Sequence, residues 1–564
     1  LLDVDGNGVC ELLGDDGVFE FDENGEGSWR RWPGEIPDPA DPHSAGSRFA
    51  DLDGDGDLDI LVSTPEHQVV YLFESPDIGW LKHSGGKREA VPEGRRIPPF
   101  VRVDGSDNGA WLARGRVYWQ NEDTGGKGAQ VERRSFKELL QVEDRKDALL
   151  RTRPLPPDES LSKVEVADGL EVELVAAEPL VRDPIDIAWG PDGRLWVVEM
   201  ADYPNGAGSD GKPGGRVRVL EDSDGDGRFD RSELFREGLN FPTAVAPWRD
   251  GVLIVAAPDI LYCEGDRDEL LYTGFREGNQ QHRVNGLRWG LDNWLYLANG
   301  DSGGTVRSVK TGKEVELGGR DLRIRPDTGE IELCTGRCQY GRVRDEWGNW
   351  FGCSNSQPLW HYVLPDRYLA RNPHAASPSP IRHLWGVGGR PEVFPISNTL
   401  ERFNDFDNAN KITSACGIHV GGGNAYVCEP VHNLVVRLEL RPEAGSFWAS
   451  RSDAGSEFFR SADGWCRPVS VREGPDGALY VVDMYRQVIE HPEWIPEEWQ
   501  ARLDLRAGSG RGRIYRVSRT GAGPMRAVSP DLASASQTSR DLAHMVAVWD
   551  RQPAGGSSDS PLAR

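Results

Sequence analysis

One unit recurs six times between residues 163 and 520, and it leaves few folds open to the chain. The unit is a short apolar strand, a tight turn, a second strand and then a third. The first two strands read Ile185–Trp189 with Leu195–Val198, Ala244–Ala246 with Val252–Ala256, and Gly286–Trp289 with Trp294–Ala298. They continue as Gly341–Arg344 with Asn349–Gly352, Gly417–Val420 with Ala425–Val427, and Pro468–Arg472 with Ala478–Val482. The turns between them, such as Gly190-Pro-Asp-Gly193 and Gly474-Pro-Asp-Gly477, supply the positive φ that hairpins require. Six matched units predict a six-bladed β-propeller over 163–520; a sandwich with coincidental turns is the weaker alternative. A seventh, unmatched strand at Leu170–Val175 can complete the last blade and close the ring.

Before the propeller, residues 1–150 hold a different repeat. Asp3-Val-Asp-Gly-Asn-Gly-Val-Cys-Glu11 and Asp51-Leu-Asp-Gly-Asp-Gly-Asp-Leu-Asp59 start 48 residues apart, which is blade length. Trp111–Trp119 reads as a further strand pair, and 134–150 as a charged helix. Residues 151–162, with Arg153-Pro-Leu-Pro-Pro157, read as a stiff linker. After about 520 the β-pattern fades, and Asp541–Val548 can open a helix; 521–564 is a tail that can begin a helical repeat domain. The first repeat starts mid-unit, so the chain reads as part of a longer protein.

The Asp-rich loops carry the clearest chemistry. A hard cation wants several oxygens from one sharply turned loop. Asp51, Asp53, Asp55 and Asp59 stand at ligand positions 1, 3, 5 and 9, with the Asp57 carbonyl at position 7. Within the propeller, Asp222, Asp224, Asp226, the Arg228 carbonyl, Asp230 and Glu233 fill a full twelve-residue pattern, with Gly227 at the bend. Asp3, Asp5, Asn7 and Glu11 make a third, weaker loop. All three are expected to hold structural Ca²⁺. The 1–75 repeats resemble FG-GAP/VCBS repeats of integrin-type propellers, which makes the expected fold class all-β: a six-bladed propeller after a partial FG-GAP/VCBS region.

A net charge of −26 argues against nucleic acid as a partner. No run of 18 apolar residues occurs. The eight cysteines form no CxxC, which excludes a zinc ribbon or attached haem in this stretch. Cys416 and Cys428 are equidistant from Gly422 and can face each other across a hairpin; Cys338 with Cys353 is a second candidate pair. Calcium loops with cysteines suit a periplasmic or extracytoplasmic setting.

Residues flanking the inner strands of a propeller converge on one mouth, and here they are polar. They comprise Glu199, Asp202, Asp259, His282, Asp301, Arg337, Gln339, Asn355, Glu429, His432, Arg467, Asp483, Tyr485 and Arg486. Such a set can build a polar ligand site, or merely tie off strand ends. His282 stands out within Gln280-Gln-His-Arg-Val-Asn-Gly-Leu-Arg-Trp-Gly290-Leu-Asp292. His282, Gly286, Leu287, Gly290 and Asp292 match the spacing of soluble glucose/sorbosone dehydrogenases, which the segment resembles. Those are six-bladed propellers using pyrroloquinoline quinone (PQQ) and calcium, with this histidine as base. Arg337-Cys-Gln-Tyr-Gly341 is similar to a further segment of that family, with Gln339 one place off.

A wider resemblance rests on Asn240-Phe-Pro-Thr243, Ala256-Ala-Pro-Asp-Ile260, the His282–Trp294 segment, Cys428-Glu-Pro-Val-His-Asn433 and Asp483-Met-Tyr-Arg486. These look like the family described as membrane-bound dehydrogenases of planctomycetes and verrucomicrobia. That family implies a sugar or alcohol dehydrogenase passing electrons to a c-type cytochrome beyond Arg564. In this reading His282 is the catalytic base. Arg337, Gln339, Arg467 and Asp301 hold the quinone, and a guanidinium grips its carboxylates. Two rivals remain. One is a non-catalytic, calcium-stabilised propeller that binds glycan or protein. The other is a metal-dependent hydrolase or lactonase with an axial metal on Glu199, Asp301 and Asp483 or similar residues.

Overall fold

Burial along Pro184–Trp189 is nearly continuous, as a strand covered on both faces requires. In the computed structural model this strand and its five counterparts stand around one axis. The structure describes residues 1–6, 9–14, 17–22, 28–34, 36–37, 45–53, 55–91, 96–113, 115–121, 132–136, 152–207, 211–372, 374, 379–397, 410–453, 455–525 and 530–549. The chain divides into two compact units, Leu1–Thr152 and Arg153–Arg564.

The second unit is the propeller. Its inner strands are Pro184–Trp189, Ala244–Trp248, Asn285–Trp289, Val343–Arg344, Cys416–Gly421 and Pro468–Glu473. Each heads an antiparallel sheet, blades 1 to 6 in chain order. Each inner strand packs against the next, and that of blade 6 returns to that of blade 1, closing the ring. In blade 6, Leu170–Ala177 pairs with Arg513–Arg519 as the outermost strand, the closure expected of the unmatched seventh strand. The apolar cores lie between neighbouring blades; one joins Trp189, Val198 and Val217 of blade 1 to Ile254 of blade 2 and Tyr480 of blade 6.

Local chemistry explains the hairpins. In Gly190-Pro-Asp-Gly193, the Gly193 N–H donates to Gly190 O and the Asp192 carboxylate accepts from Arg194 N. Gly474-Pro-Asp-Gly477 repeats both contacts. Near the axis glycine has a different purpose. A Cβ on Gly286 would lie 3.5 Å from Arg342 N, one on Gly341 3.2 Å from Ile418 N, and one on Gly417 2.0 Å from Val469 O. All three have positive φ, so each lets its inner strand lie against the next blade's backbone.

Two features were not expected. Gly304–Ser308 and Glu314–Glu316 leave blade 3 between its second and third strands and extend blade 2 outward by pairing with Arg267–Phe275. The tail helix begins earlier than expected, at Gln537–Trp549, and Leu542 and Met545 are buried in the propeller core. Asp541 pairs with Arg344 at 2.6 Å, and Thr538 Oγ1 donates to Glu473 O. Gln537, Asp541 and Leu542 of this helix line a pocket with Trp189, Trp289 and Arg344 of the inner strands.

The first unit contains a four-stranded sheet (Ser47–Ala50, Asp59–Ser63, His67–Ser75, Gly79–Lys87) and two three-stranded sheets. The strand pair expected at Trp111–Trp119 is the hairpin Ala110–Ala113 with Arg116–Trp119. Where a helix was expected from 134, Glu132–Ser135 is a strand paired with Arg116–Trp119; 137–150 lies outside the described residues. Among the described residues no helix is long and apolar enough to cross a membrane.

Candidate functional site

A cavity of about 110 Å³ opens at the axis, lined by residues of blades 1, 3, 4, 5 and 6. Its apolar side is Ile185, Met200, Val431, Val469, Met484 and Ile489; His282, Gln339, Asn355 and Tyr203 are among the polar residues. His282 ends a 3₁₀ turn, Gln280–His282, capped by Asn279, whose side chain accepts from Gln281 N at 2.9 Å. Gln339 stands 2.9 Å from His282 Nε2 through its amide nitrogen, while its Oε1 accepts from Asn355 N at 2.8 Å. The backbone N–H fixes which way the amide points. The Gln339 NH₂ therefore donates, and His282 Nε2 is the acceptor, which is the neutral imidazole.

The residues behind this contact were quoted in the sequence motif but given no role. Asn285 Nδ2 donates to Gln339 O at 2.8 Å, and its Oδ1 accepts from Gly341 N at 2.9 Å, so blade 3 sets the main chain that carries Gln339. Gln281 Nε2 donates to Tyr203 OH and to Ile489 O, both at 3.0 Å. His491 Nε2 lies 2.7 Å from Gln280 Oε1. Burial holds His491 below the usual imidazole range. Three loops from distant stretches are thereby tied around the mouth. Only their partners reveal these residues; no spacing rule marks them.

The other expected site residues are placed differently. Arg337 and Asp301 are brought to each other, 2.7 Å apart, but neither lines the cavity; the Arg337 side chain is 60% exposed. Arg467 is buried and does not line it either. Its guanidinium donates to the carbonyls of Pro430, Val431, Arg486 and Gln487. Arg467 thus braces the loops behind the wall, which corrects its assignment as a quinone contact. Several carboxylates of the expected funnel tie off strand ends. Glu199 accepts from Arg182 N, Glu429 from Ser414 N, and Asp483 from Arg467 N and Tyr485 N. Asp202 accepts from Gly214 N and Phe241 N, and Asp259 from Thr273 Oγ1. Among the described residues, Glu199, Asp301 and Asp483 are not gathered into one metal-holding group. Among the described residues, the acidic clusters able to hold a cation are all in the Asp-rich loops.

In those loops, Asp3, Asp5 and Glu11 converge, as do Asp51, Asp53 and Asp59, and Asp222, Asp224 and Asp226, with donor oxygens within 4.8 Å in each set. Asn7 lies outside the described residues. Burial, then crowding by Asp55, Asp59 and Asp53, pushes the Asp57 carboxyl up to about 9. Burial, with Asp53 and Asp55 nearby, pushes Asp59 up to about 7, against the pull of the Leu52 and Phe73 N–H groups. A cation is what such crowding favours. The Asp222 loop falls short of its twelve-residue pattern. Both oxygens of Asp230 are turned to Ser223, and Glu233 is exposed on the strand Arg231–Leu239, outside the cluster.

All eight cysteines are free. Cys416 and Cys428 are cross-strand partners as expected, yet the Cys416 thiol faces Val469 O and the Cys428 thiol Gly417 O. Cys338 and Cys353 likewise turn to carbonyls, of Cys353 and Tyr340. Burial pushes the Cys416 and Cys428 thiols far up, and the Cys338 hydrogen bond together with burial does the same to Cys353, which disfavours the thiolate at all three.

The profile of a family described as a domain of unknown function, DUF7133, matches residues 156–521. The chain belongs to the DUF7133 family. Its match takes in all six blades and ends before the tail helix. No curated protein matches the sequence. Among solved structures, the DUF7133 chain is similar to a luciferin-regenerating enzyme at 12% identity and a TM-score of 0.39, covering 64% of this chain and 99% of that one. It is similar to the PQQ-bound aldose sugar dehydrogenase of Streptomyces coelicolor at 15% identity, TM-score 0.33, covering 63% and 100%. A streptogramin B lyase stands at 9% identity and TM-score 0.32, covering 63% and 99%.

Proposed function

We propose that the DUF7133 propeller is a dehydrogenase acting on a small, uncharged sugar or alcohol, with His282 as the group that accepts the hydroxyl proton. The observation carrying this is the committed amide of Gln339. It holds a neutral imidazole, its Nε2 accepting from Gln339, at the edge of an axial cavity. A substrate hydroxyl that takes the place of the Gln339 NH₂ meets a base within hydrogen-bond reach. The mostly apolar wall, with neutral amides and hydroxyls, orients a neutral molecule and keeps water from the ring. That the reaction is an oxidation rests on the resemblance of the His282–Asp292 segment; the hydroxyl proton goes to His282 and the carbon-bound hydride to a redox acceptor supplied from outside the chain, the dye in the assay below. Transfer of electrons to a c-type cytochrome and an extracytoplasmic location belong to the same proposal.

The described lining does not fit PQQ. A polycarboxylate needs cations, and no Arg or Lys is among the lining residues; Glu490 adds a negative charge. At about 110 Å³ the space is also below the ~300–1,000 Å³ usual for sites that enclose a cofactor-sized ligand. The assay therefore needs two arms: an artificial dye alone, and the dye with PQQ and Ca²⁺, each over a panel of sugars and alcohols. Turnover in either arm supports the proposal, and none in both from folded protein overturns it. His282→Asn is expected to lower kcat by about 10²–10⁴-fold. Unchanged kcat would remove His282 as the base.

Calcium in the Asp-rich loops is part of the same reading. The crowded carboxyls of Asp51, Asp53, Asp57 and Asp59 support it. Chelation is expected to lower the melting temperature by about 5 °C or more, and added Ca²⁺ to restore it. An indifferent melting curve would count against bound calcium.

A further inference from the structure

A second cavity, of about 330 Å³, lies between blades 3 and 4 and shares no lining residue with the His282 site. Its volume falls within the ~300–1,000 Å³ of small-ligand sites. Aromatic faces form much of it. Tyr296 and Trp350 lie 4.0 Å apart between ring centroids, and Tyr362 lines the interior. Trp347, at the tip of the blade 4 hairpin, is 79% exposed. That exposure leaves an indole face at the mouth of the cavity for a ligand to stack on.

The floor is polar. Arg342 is only 3% exposed, with its guanidinium 4.0 Å from the Tyr362 ring centre. It pairs with Asp321 at 2.7 Å and donates to Thr335 O, yet its Nε has no protein partner. A buried guanidinium N–H without a protein acceptor leaves hydrogen-bonding capacity in this floor for a water or a ligand oxygen. The charges balance: Asp292, Glu332 and Asp366 line the cavity along with Arg323, Arg342 and Arg367. An ion of either sign gains nothing net there. An uncharged ligand with an apolar face for the indole, and oxygens for the guanidinium and carboxylates, gains at every wall.

We propose that this cavity is a saccharide-binding site, taking a pyranose unit of a neutral oligo- or polysaccharide stacked on Trp347. The site stands independently of the dehydrogenase reading. It gives the propeller a hold on a glycan while the axial cavity remains free for a small molecule.

The test uses the full chain titrated with cellotetraose, maltotetraose, xylotetraose and mannotetraose, read by tryptophan fluorescence and calorimetry. At least one is expected to bind, and Trp347→Ala to weaken it by about tenfold or more, with Trp347→Phe retaining most of the affinity. Dye-linked turnover by Trp347→Ala is expected to match the parent, since Trp347 lies outside the His282 cavity. Failure of all four sugars to bind, or binding indifferent to Trp347→Ala, overturns the proposal. So does preferential uptake of a flat aromatic such as indole at the same tryptophan.

Discussion

Two imidazoles in the propeller show how burial and partners divide chemistry from structure. His282 borders a cavity and faces an amide that donates to it. His361 is walled in by Phe351 and Phe447, with ring centroids 5.2 Å from each, and its Nδ1 lies 2.9 Å from Ser446 Oγ. Burial pushes His361 down to about 4, with Arg382 adding to the effect and Asp345 opposing it. A folded pKa below the unfolded one gives stability that is full above about 6.5 and lost as pH falls toward 4, because the unfolded chain takes the proton first. The loss by pH 4 is on the order of 3 kcal/mol. The urea midpoint is therefore expected to fall between pH 7 and pH 4.5, and less steeply in His361→Gln; equal slopes would exonerate this residue. His282 was legible because its loop carries a recognisable string. Arg467 was misread from the same kind of context. Whether a guanidinium faces a ligand or four carbonyls is decided by loops at Pro430–Val431 and Arg486–Gln487, and no local pattern states that.

Among the elements, the third strand of blade 3 braces the site from behind. Its first residue, Asp321, accepts from Asn299 N and Cys338 N at 2.9 Å each, and from Tyr362 OH and Arg342. The Cys338 contact sets the backbone next to Gln339, so the strand and the His282 partner move together. Removing the carboxylate leaves a buried guanidinium unpaired, which costs about 3–5 kcal/mol. Asp321→Ala is expected to lose that much by denaturant melting, with turnover reduced in whatever fraction folds. A loss under about 0.5 kcal/mol would show that Arg342 finds another partner. The strand itself, Asp321–Arg325, stands where the repeated unit places its third strand. The strands Gly304–Ser308 and Glu314–Glu316 were not readable, because Thr305, Arg307, Glu314 and Glu316 are polar and their partner Tyr272 belongs to the preceding blade. Pairing across a blade boundary leaves no periodic trace in either segment.

On the scale of the whole propeller, the ring holds because its two ends share one sheet. Leu170–Ala177 pairs with Arg513–Arg519 along seven residue partners, with one bulge between Leu174 and Ala176. Tyr515 and Val517 of that sheet are buried against Phe459 of blade 5, so the closure also seals an apolar seam. Arg513 anchors the junction: it lies 3.5 Å over the Tyr485 ring and donates to Leu155 O ahead of the first strand. Without residues 153–177, Arg513–Arg519 would become an open edge with unpaired N–H and C=O groups, a template for another chain. The leucine, valine and alanine side chains on the lost strand would also stop covering blade 6, at about 1.5–3 kcal/mol for each large one. A chain lacking 153–177 is therefore expected to self-associate, with light scattering that rises with concentration. An insertion of a few residues between Gly422 and Gly423, a two-glycine hairpin tip with open space around it, is expected to leave the protein monodisperse. If the shortened chain stayed monomeric with an unchanged melting temperature, closure by Leu170–Ala177 would be ornamental, and the contacts between inner strands alone would hold six blades in a ring.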